Sequence, residues 1–149
     1  LERSVAALST RGLPFRAEQN IQREIWKKAI VNAVFNSLCP LLERDNGIFA
    51  RESEAASLAR EVGRECITLT ERLGLDLSEA ELMEQILTIS RRSDGQLIST
   101  LQDLRAGRPT EIASLNLEIA RVAAALQPSL TLPRVELLGR LVVAKSLQP

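Results

Sequence analysis

The chain has 149 residues, 45% of them hydrophobic and 26% charged, and its 19 basic and 19 acidic residues cancel. This length allows one domain with a real core, and the balanced charge excludes the broad basic footprint of a nucleic-acid or acidic-membrane binder. Aromatic residues make up only 3%, which argues against stacking platforms for single-stranded nucleic acid.

The sequence contains no His and no Tyr. Ser-His-Asp and Cys-His catalysis are therefore excluded, as are histidine metal sites. Two cysteines, Cys39 and Cys66, are too few for a thiolate metal cage. They fit a reduced, cytoplasmic compartment better than a disulfide framework, and read as small buried fillers. No signal peptide is visible, and no apolar run reaches the ~18 residues of a membrane span. Any proton chemistry here must use Lys, Asp, Glu or water.

In chain order, residues 2–10 predict a helix ended by Gly12 and Pro14. The chain starts on a helix already under way. Residues 1–20 are therefore expected to be the remnant of an interdomain helix and linker from a longer protein, with the domain proper over 21–149. Asn20 can cap a long helix over about 21–38, which Cys39-Pro40 is expected to interrupt. "RDNG", 44–47, is a turn signal. Residues 53–73 predict a second long helix, closed by Gly74. Ser78 caps a third, with Glu79 and Glu81 in its first turn, where carboxylates suit the helix dipole.

After a break at Ser93-Asp94-Gly95, a helix is expected over 96–106, ended by Gly107. Pro109 suits the first turn of a further helix over 109–126. Pro128 and Pro133 punctuate the last connection, and the final helix spans 133–146. The fold class is all-α, a bundle of six to seven helices, with no internal repeat.

The sharpest chemical signal lies in "WKKAIVNAVFN", Trp26 to Asn36, where Lys28, Asn32 and Asn36 recur every fourth residue. Each such step drifts about 40° on a helix, so the three side chains form one stripe about 80° wide. Apolar residues occupy most of the remaining circumference, as on a buried helix. The stripe either faces solvent or lines an internal polar cleft for a ligand. Asn is a poor helix former, so two at this spacing on a buried helix are hard to explain as filler.

Three other features each have a plain structural explanation. Asn46-Gly47 suits a turn, because both residues tolerate positive φ. Glu111 in a first helical turn favours the dipole. Asp103 can pair with Arg105 or Arg108, and Thr100 stands one turn before it in "STLQD". No GxGxxG motif is present, so the chain carries no dinucleotide-binding domain of its own.

Taken together and in order, these segments resemble the C-terminal domain of the ketopantoate reductase (2-dehydropantoate 2-reductase) family. The family pattern of Trp, then Lys-x3-Asn-x3-Asn, stands here as Trp26, Lys28, Asn32 and Asn36. Asn46-Gly47, "STLQD" at 99–103, "RPTEI" at 108–112 and "LN" at 115–116 follow in register, so the resemblance covers about Ile21 to the C-terminus.

The resemblance implies a helical domain of the 6-phosphogluconate-dehydrogenase-like type. It implies a parent enzyme whose N-terminal Rossmann domain binds NADPH and partners this domain across the substrate cleft. It makes Lys28 the general acid, with Asn32, Asn36, Asn46 and Thr100 on the substrate. Glu111 is assigned to the substrate hydroxyl, near the lysine, and to the cofactor. Three positions depart from the family pattern: Leu97 and Val135 stand where Asn is common, and Leu117 where Gly is common.

The function expected is therefore NADPH-dependent reduction of 2-dehydropantoate to pantoate, in pantothenate biosynthesis. The alternatives are a reductase of another small 2-keto acid and a non-catalytic helical dimerisation module. The many apolar residues of Glu136 to Leu147 allow either homodimer pairing or ordinary core packing. Without the domain that holds the hydride donor, the 149-residue chain alone is expected to show no turnover. Such positioning is worth up to roughly 7–11 kcal/mol. NADPH oxidation with ketopantoate, assayed on the purified chain, checks this, and measurable turnover contradicts it.

Overall fold

The computed structural model describes residues 20–147. The helix expected over 2–10 and the linker after it lie outside the described residues. Seven α-helices and one 3-10 turn are present among them, with no strand.

The first helix, α1, runs Ile21–Leu42 and starts where Asn20 accepts a bond from Arg23 N at 3.3 Å. It continues through Cys39-Pro40 instead of stopping there. A proline lacks the N–H that would bond four residues back. Pro40 lies in the last turn, where it forfeits one such bond while its ring is buried in the core. The helix ends two residues later, where Glu43 turns left-handed with φ of 55°.

A short helix that the sequence did not suggest, α2 (Ile48–Arg51), carries Phe49 into the core. Its ring meets Phe35 edge-on, with centroids 4.8 Å apart. The helix α3 spans Ser53–Arg72 and α4 spans Glu79–Arg92. Ser78 caps α4 as expected, accepting from Glu81 N at 3.2 Å.

The next helix, α5, is shorter than the expected 96–106 and spans Ser99–Arg105. Gln96 and Leu97 are drawn out of the helix by other bonds. Gln96 O accepts Asn46 N at 2.8 Å, and Leu97 O accepts Gln102 Nε2 at 2.7 Å.

The single helix expected over 109–126 is absent. Pro109 lies in coil, a 3-10 turn covers Ile112–Ser114, and α6 begins only at Asn116, running to Ala124. Asn favours helix starts over interiors because its side chain competes for nearby backbone groups. Asn116, fully buried at that start, donates to Val135 O at 3.4 Å. The last helix, α7, spans Pro133–Ser146 with Pro at its start, as expected. Its first amides donate to Glu65 of α3: Arg134 N at 2.9 Å and Val135 N at 3.0 Å. A carboxylate from another helix thus satisfies N–H groups that α7 cannot pair internally.

The centre of the bundle is α1, which packs on α3, α4, α5 and α7. This explains its nearly unbroken apolar circumference. The burial is uneven along its length: Ile21 and Ile25 are exposed, whereas Ile30, Val34, Phe35 and Cys39 are inside. Cys39 and Cys66 are buried and unpaired with each other, and burial pushes both thiols up to about 12. They are inert fillers, as read from the sequence.

Helices α6 and α7 meet at Gly139. A Cβ there would lie 2.8 Å from Leu117 Cδ2 and 2.9 Å from Asn116 Cβ. The second contact involves a rigid atom at a helix start. Gly139→Ala should therefore cost about 1–3 kcal/mol as overpacking, outweighing any gain in helix propensity. Urea unfolding of both proteins measures it, and equal midpoints would contradict so tight a contact.

Candidate active site

The stripe on α1 divides in two. Lys28 and Asn32 line a cleft of about 410 Å³ between α1 and α4, together with Glu24, Lys27, Val31, Gln85 and Ile89. One turn further on, Asn36 is buried and faces α5 instead. Its Oδ1 accepts the Thr100 hydroxyl at 2.7 Å, and its Nδ2 donates to Asn32 O at 2.9 Å. Thr100 is itself 2% exposed. The stripe is therefore internal at one end and open at the other. Lys28 is exposed, although most of the helix circumference around it is apolar. The reason is position: Lys28 lies before Ile30, where α1 enters the core.

The two neighbouring lysines have different electrostatic surroundings. Lys27 Nζ donates to Glu24 at 2.9 Å and to Glu81 at 3.2 Å. These bonds, that to Glu24 first, hold its pKa above the ordinary lysine value. Arg23 pairs with the same two carboxylates, and its Nε donates to Asp76 O at 2.5 Å. Lys28 has no such partner among the described residues. Although the two lysines point about 100° apart on the helix, both border the same cleft.

None of the other sequence candidates lines this cleft. Asn46 is buried in the turn between α1 and α2, and its Oδ1 accepts no hydrogen bond from a described residue. Glu111 is exposed immediately before the 3-10 turn and makes no ion pair with Lys28. Asp103 is a surface partner of Arg108, with bonds of 2.9 and 2.7 Å, as its plain reading held. Leu97 is half-buried, two residues before α5.

Gln85 and Ile89 were not singled out in the sequence. They stand one helical step of four apart on α4, a spacing that every amphipathic helix repeats.

Asp45 was also missed. Its carboxylate accepts Arg51 Nη2 at 2.8 Å, Gly47 N at 2.8 Å and Gly95 N at 3.2 Å. These donors, Arg51 foremost, hold its pKa down to about 2. A depressed carboxylate stabilises the fold above its unfolded pKa of about 3.9, and that contribution fades as pH falls from there towards 2.

The Thr100–Asn36 bond has a measurable consequence. Thr100→Val keeps the shape but leaves Asn36 Oδ1 buried without its donor, which should cost about 1–3 kcal/mol. Thr100→Ser keeps the hydroxyl and should recover most of that loss. Denaturant titration of the three proteins distinguishes this from lost packing, under which Ser would be the worse substitution.

Comparison with known proteins bears on the whole assembly. A family described as "Ketopantoate reductase PanE/ApbA C terminal" matches residues 20–146. The 2-dehydropantoate 2-reductase of Pyrobaculum aerophilum is 30% identical over 111 residues, 74% of this chain and 39% of that protein. The chain thus spans well under half the length of that relative. The crystal structure of a ketopantoate reductase from Ralstonia eutropha JMP134 superposes with a TM-score of 0.81 at 27% identity, covering 97% of this chain and 48% of that one. A dimeric ketopantoate reductase from Staphylococcus aureus superposes with a TM-score of 0.73 at 26% identity, over 87% of this chain and 44% of that one.

Proposed function

From the premise that this chain belongs to the ketopantoate reductase C-terminal family, we propose that it is the substrate-side domain of an NADPH-dependent 2-keto acid reductase, with 2-dehydropantoate as substrate and pantoate as product. The observation that carries this reading is the pairing of Lys28 with Asn32 in one cleft. Lys28 there has no carboxylate partner among the described residues, whereas Lys27 beside it has two.

The described residues include no strand, and the sequence has no glycine-rich turn to cradle a pyrophosphate. The main cofactor site is thus assigned to an N-terminal Rossmann domain of the parent protein, and NADPH supplies the hydride from there. The work of this chain is binding and proton delivery. A ketone that gains hydride becomes an alkoxide, and the Lys28 ammonium can give it a proton, forming the alcohol and leaving a neutral amine. An ammonium already shared between two carboxylates, as in Lys27, is held back from that transfer.

The remaining residues orient the substrate. Asn32, at the cleft wall, offers a neutral donor to the substrate carboxylate or keto oxygen. The backbone carbonyl of Asn32 anchors Asn36, and Thr100 holds the far side of the Asn36 amide. Thr100 and Asn36 thereby stiffen the floor behind the reacting centre. Val31 and Ile89 supply apolar wall for a short alkyl tail, and Gln85 a polar rim. Exposed Glu111 is available to a hydroxyl of the substrate or of the cofactor ribose.

Leu97 favours a second reading, reduction of another small 2-keto acid. An apolar, half-buried side chain there offers no hydrogen bond to a polar tail. Pairing of two chains is a further part of the proposal. Leu137 and Leu141 are 58% and 44% exposed on α7, which leaves apolar surface outside the core. The setting proposed is the cytoplasm.

Lys28→Ala in the full-length parent should lower kcat by roughly 10²–10⁴, the usual range for lost general acid catalysis. Lys27→Ala should leave kcat near normal, because that ammonium is engaged with Glu24 and Glu81. Steady-state NADPH oxidation with ketopantoate reads both, with folding checked by circular dichroism. A near-normal kcat in folded Lys28→Ala, or equal losses in both variants, would assign the proton to another group.

A further inference from the structure

The two lysines of the cleft compete for one carboxylate. Glu24 stands three residues before Lys27 and four before Lys28 on α1, and both spacings bring side chains together on a helix. A glutamate four residues ahead of a lysine is a favourable order for an ion pair. Glu24 nevertheless turns to Lys27, whose Nζ donates to its Oε1 at 2.9 Å. Glu24, Lys27 and Lys28 all line the same cleft, and no other charged residue among those described does so.

Glu81 decides the competition. It reaches from α4 to Lys27 Nζ at 3.2 Å, so Lys27 meets two carboxylates where Lys28 would meet one. Arg23 then joins both carboxylates, Nη1 to Glu24 Oε1 at 2.9 Å and Nη2 to Glu81 Oε2. The bond from its Nε to Asp76 O fixes the guanidinium to the segment before α4. The four side chains are partly buried, Lys27 with only 17% exposed, so solvent screens them less than it screens open surface pairs. Mutual bonding keeps them charged. Arg23 foremost holds the Glu81 carboxyl below the ordinary glutamate value, and Glu24 foremost holds the Lys27 ammonium above the ordinary lysine value.

Two cations and two anions cancel. The charge left over at this wall of the cleft is the single positive charge of Lys28. Without Lys27 the cluster would carry one negative charge in excess, and Glu24, held by Arg23 alone, would stand one turn from Lys28.

We propose that Arg23, Glu24, Lys27 and Glu81 form a charge-neutral cluster that keeps Glu24 off Lys28, so that the Lys28 ammonium meets an anionic substrate and not a carboxylate of its own helix. This rests on the reductase reading above and extends it to the neighbours of the proton donor. Lys27 and Glu81 are positioning residues, and their effect passes through Glu24 to Lys28.

The test is a double-mutant cycle in the full-length parent, read by steady-state NADPH oxidation with ketopantoate. Lys27→Met keeps most of the stem and removes the charge. It should raise KM by about 3- to 10-fold, the scale of one partly screened charge, with kcat changed less than about twofold. That split is the pattern of lost binding that is uniform in ground and transition states. Adding Glu24→Gln restores neutrality, so the double variant should return to within about twofold of the parent KM, a non-additive rescue. Lys27→Arg should keep the parent KM. A structural role for Lys27 would show no rescue, because Glu24→Gln removes a further bond. A normal KM in Lys27→Met, a double variant no better than Lys27→Met, or a kcat that falls as far as KM rises each overturn the cluster's role. If circular dichroism shows that Lys27→Met does not fold, Lys27→Gln, alone and with Glu24→Gln, carries the same cycle. The Lys28→Ala variant separates the two failures. A lowered kcat there, with a normal KM in Lys27→Met, removes the cluster's role alone, whereas full activity in folded Lys28→Ala removes the reductase mechanism itself.

Discussion

A primary amide inside a protein core must find its partners there. The bond from the Thr100 hydroxyl to Asn36 Oδ1, at 2.7 Å, meets that demand and joins the central helix to α5. Asn36 Nδ2 turns back to Asn32 O in the same helix. With both ends of the amide engaged, the rotation of α1 about its axis is set. That rotation places Asn32 and Lys28 at the cleft and directs Ile30, Val34 and Leu38 to the core. The polar stripe thus serves as a structural register at its inner end and lines an open cleft at its outer end.

The cleft contains two adjacent lysines, and their neighbours divide the work. Glu24 and Glu81 neutralise Lys27 and join the first turns of α1 and α4. Arg23 reinforces that junction through the same carboxylates and through Asp76 O. The charge of Lys28 is left without a local counter-ion among the described residues, next to a neutral amide and two apolar side chains. An anionic 2-keto acid, the substrate class proposed above, suits that field. On the proposed function, the mobile proton stays on Lys28 and the structural charge on Lys27.

Much of this was legible in the linear chain where the physics is local. The caps at Asn20 and Ser78, the stops near Gly74 and Gly107 and the proline that opens α7 all concern residues within one turn of each other. The expected helices over 21–38, 53–73 and 133–146 agree with α1, α3 and α7 in place, though not at every end. The errors have a common origin. Pro40 is carried inside α1 because its ring is buried in the core, which local propensity does not register. Gln96 and Leu97 leave α5 because their carbonyls accept bonds from Asn46 and Gln102. Asn116 starts a helix, instead of lying within one, because its side chain is used across the α6–α7 contact.

The sequence by itself determined the helical class, the periodic stripe of Lys28, Asn32 and Asn36, and the residue types that restrict proton chemistry to Lys, Asp and Glu. These follow from a 3.6-residue period and from composition, which need no folded chain. The tertiary structure alone decided which stripe residues meet the cleft, that Thr100 closes on Asn36, and that Gln85 and Ile89 form the opposite wall. It also decided that Lys27 is paired and that Glu111 stands apart from Lys28. Each of these depends on which helix packs beside α1 and at what height. Partners such as Lys27 and Glu81, or Asn36 and Thr100, are 54 and 64 residues apart in the chain, a separation that only the packing of the bundle closes.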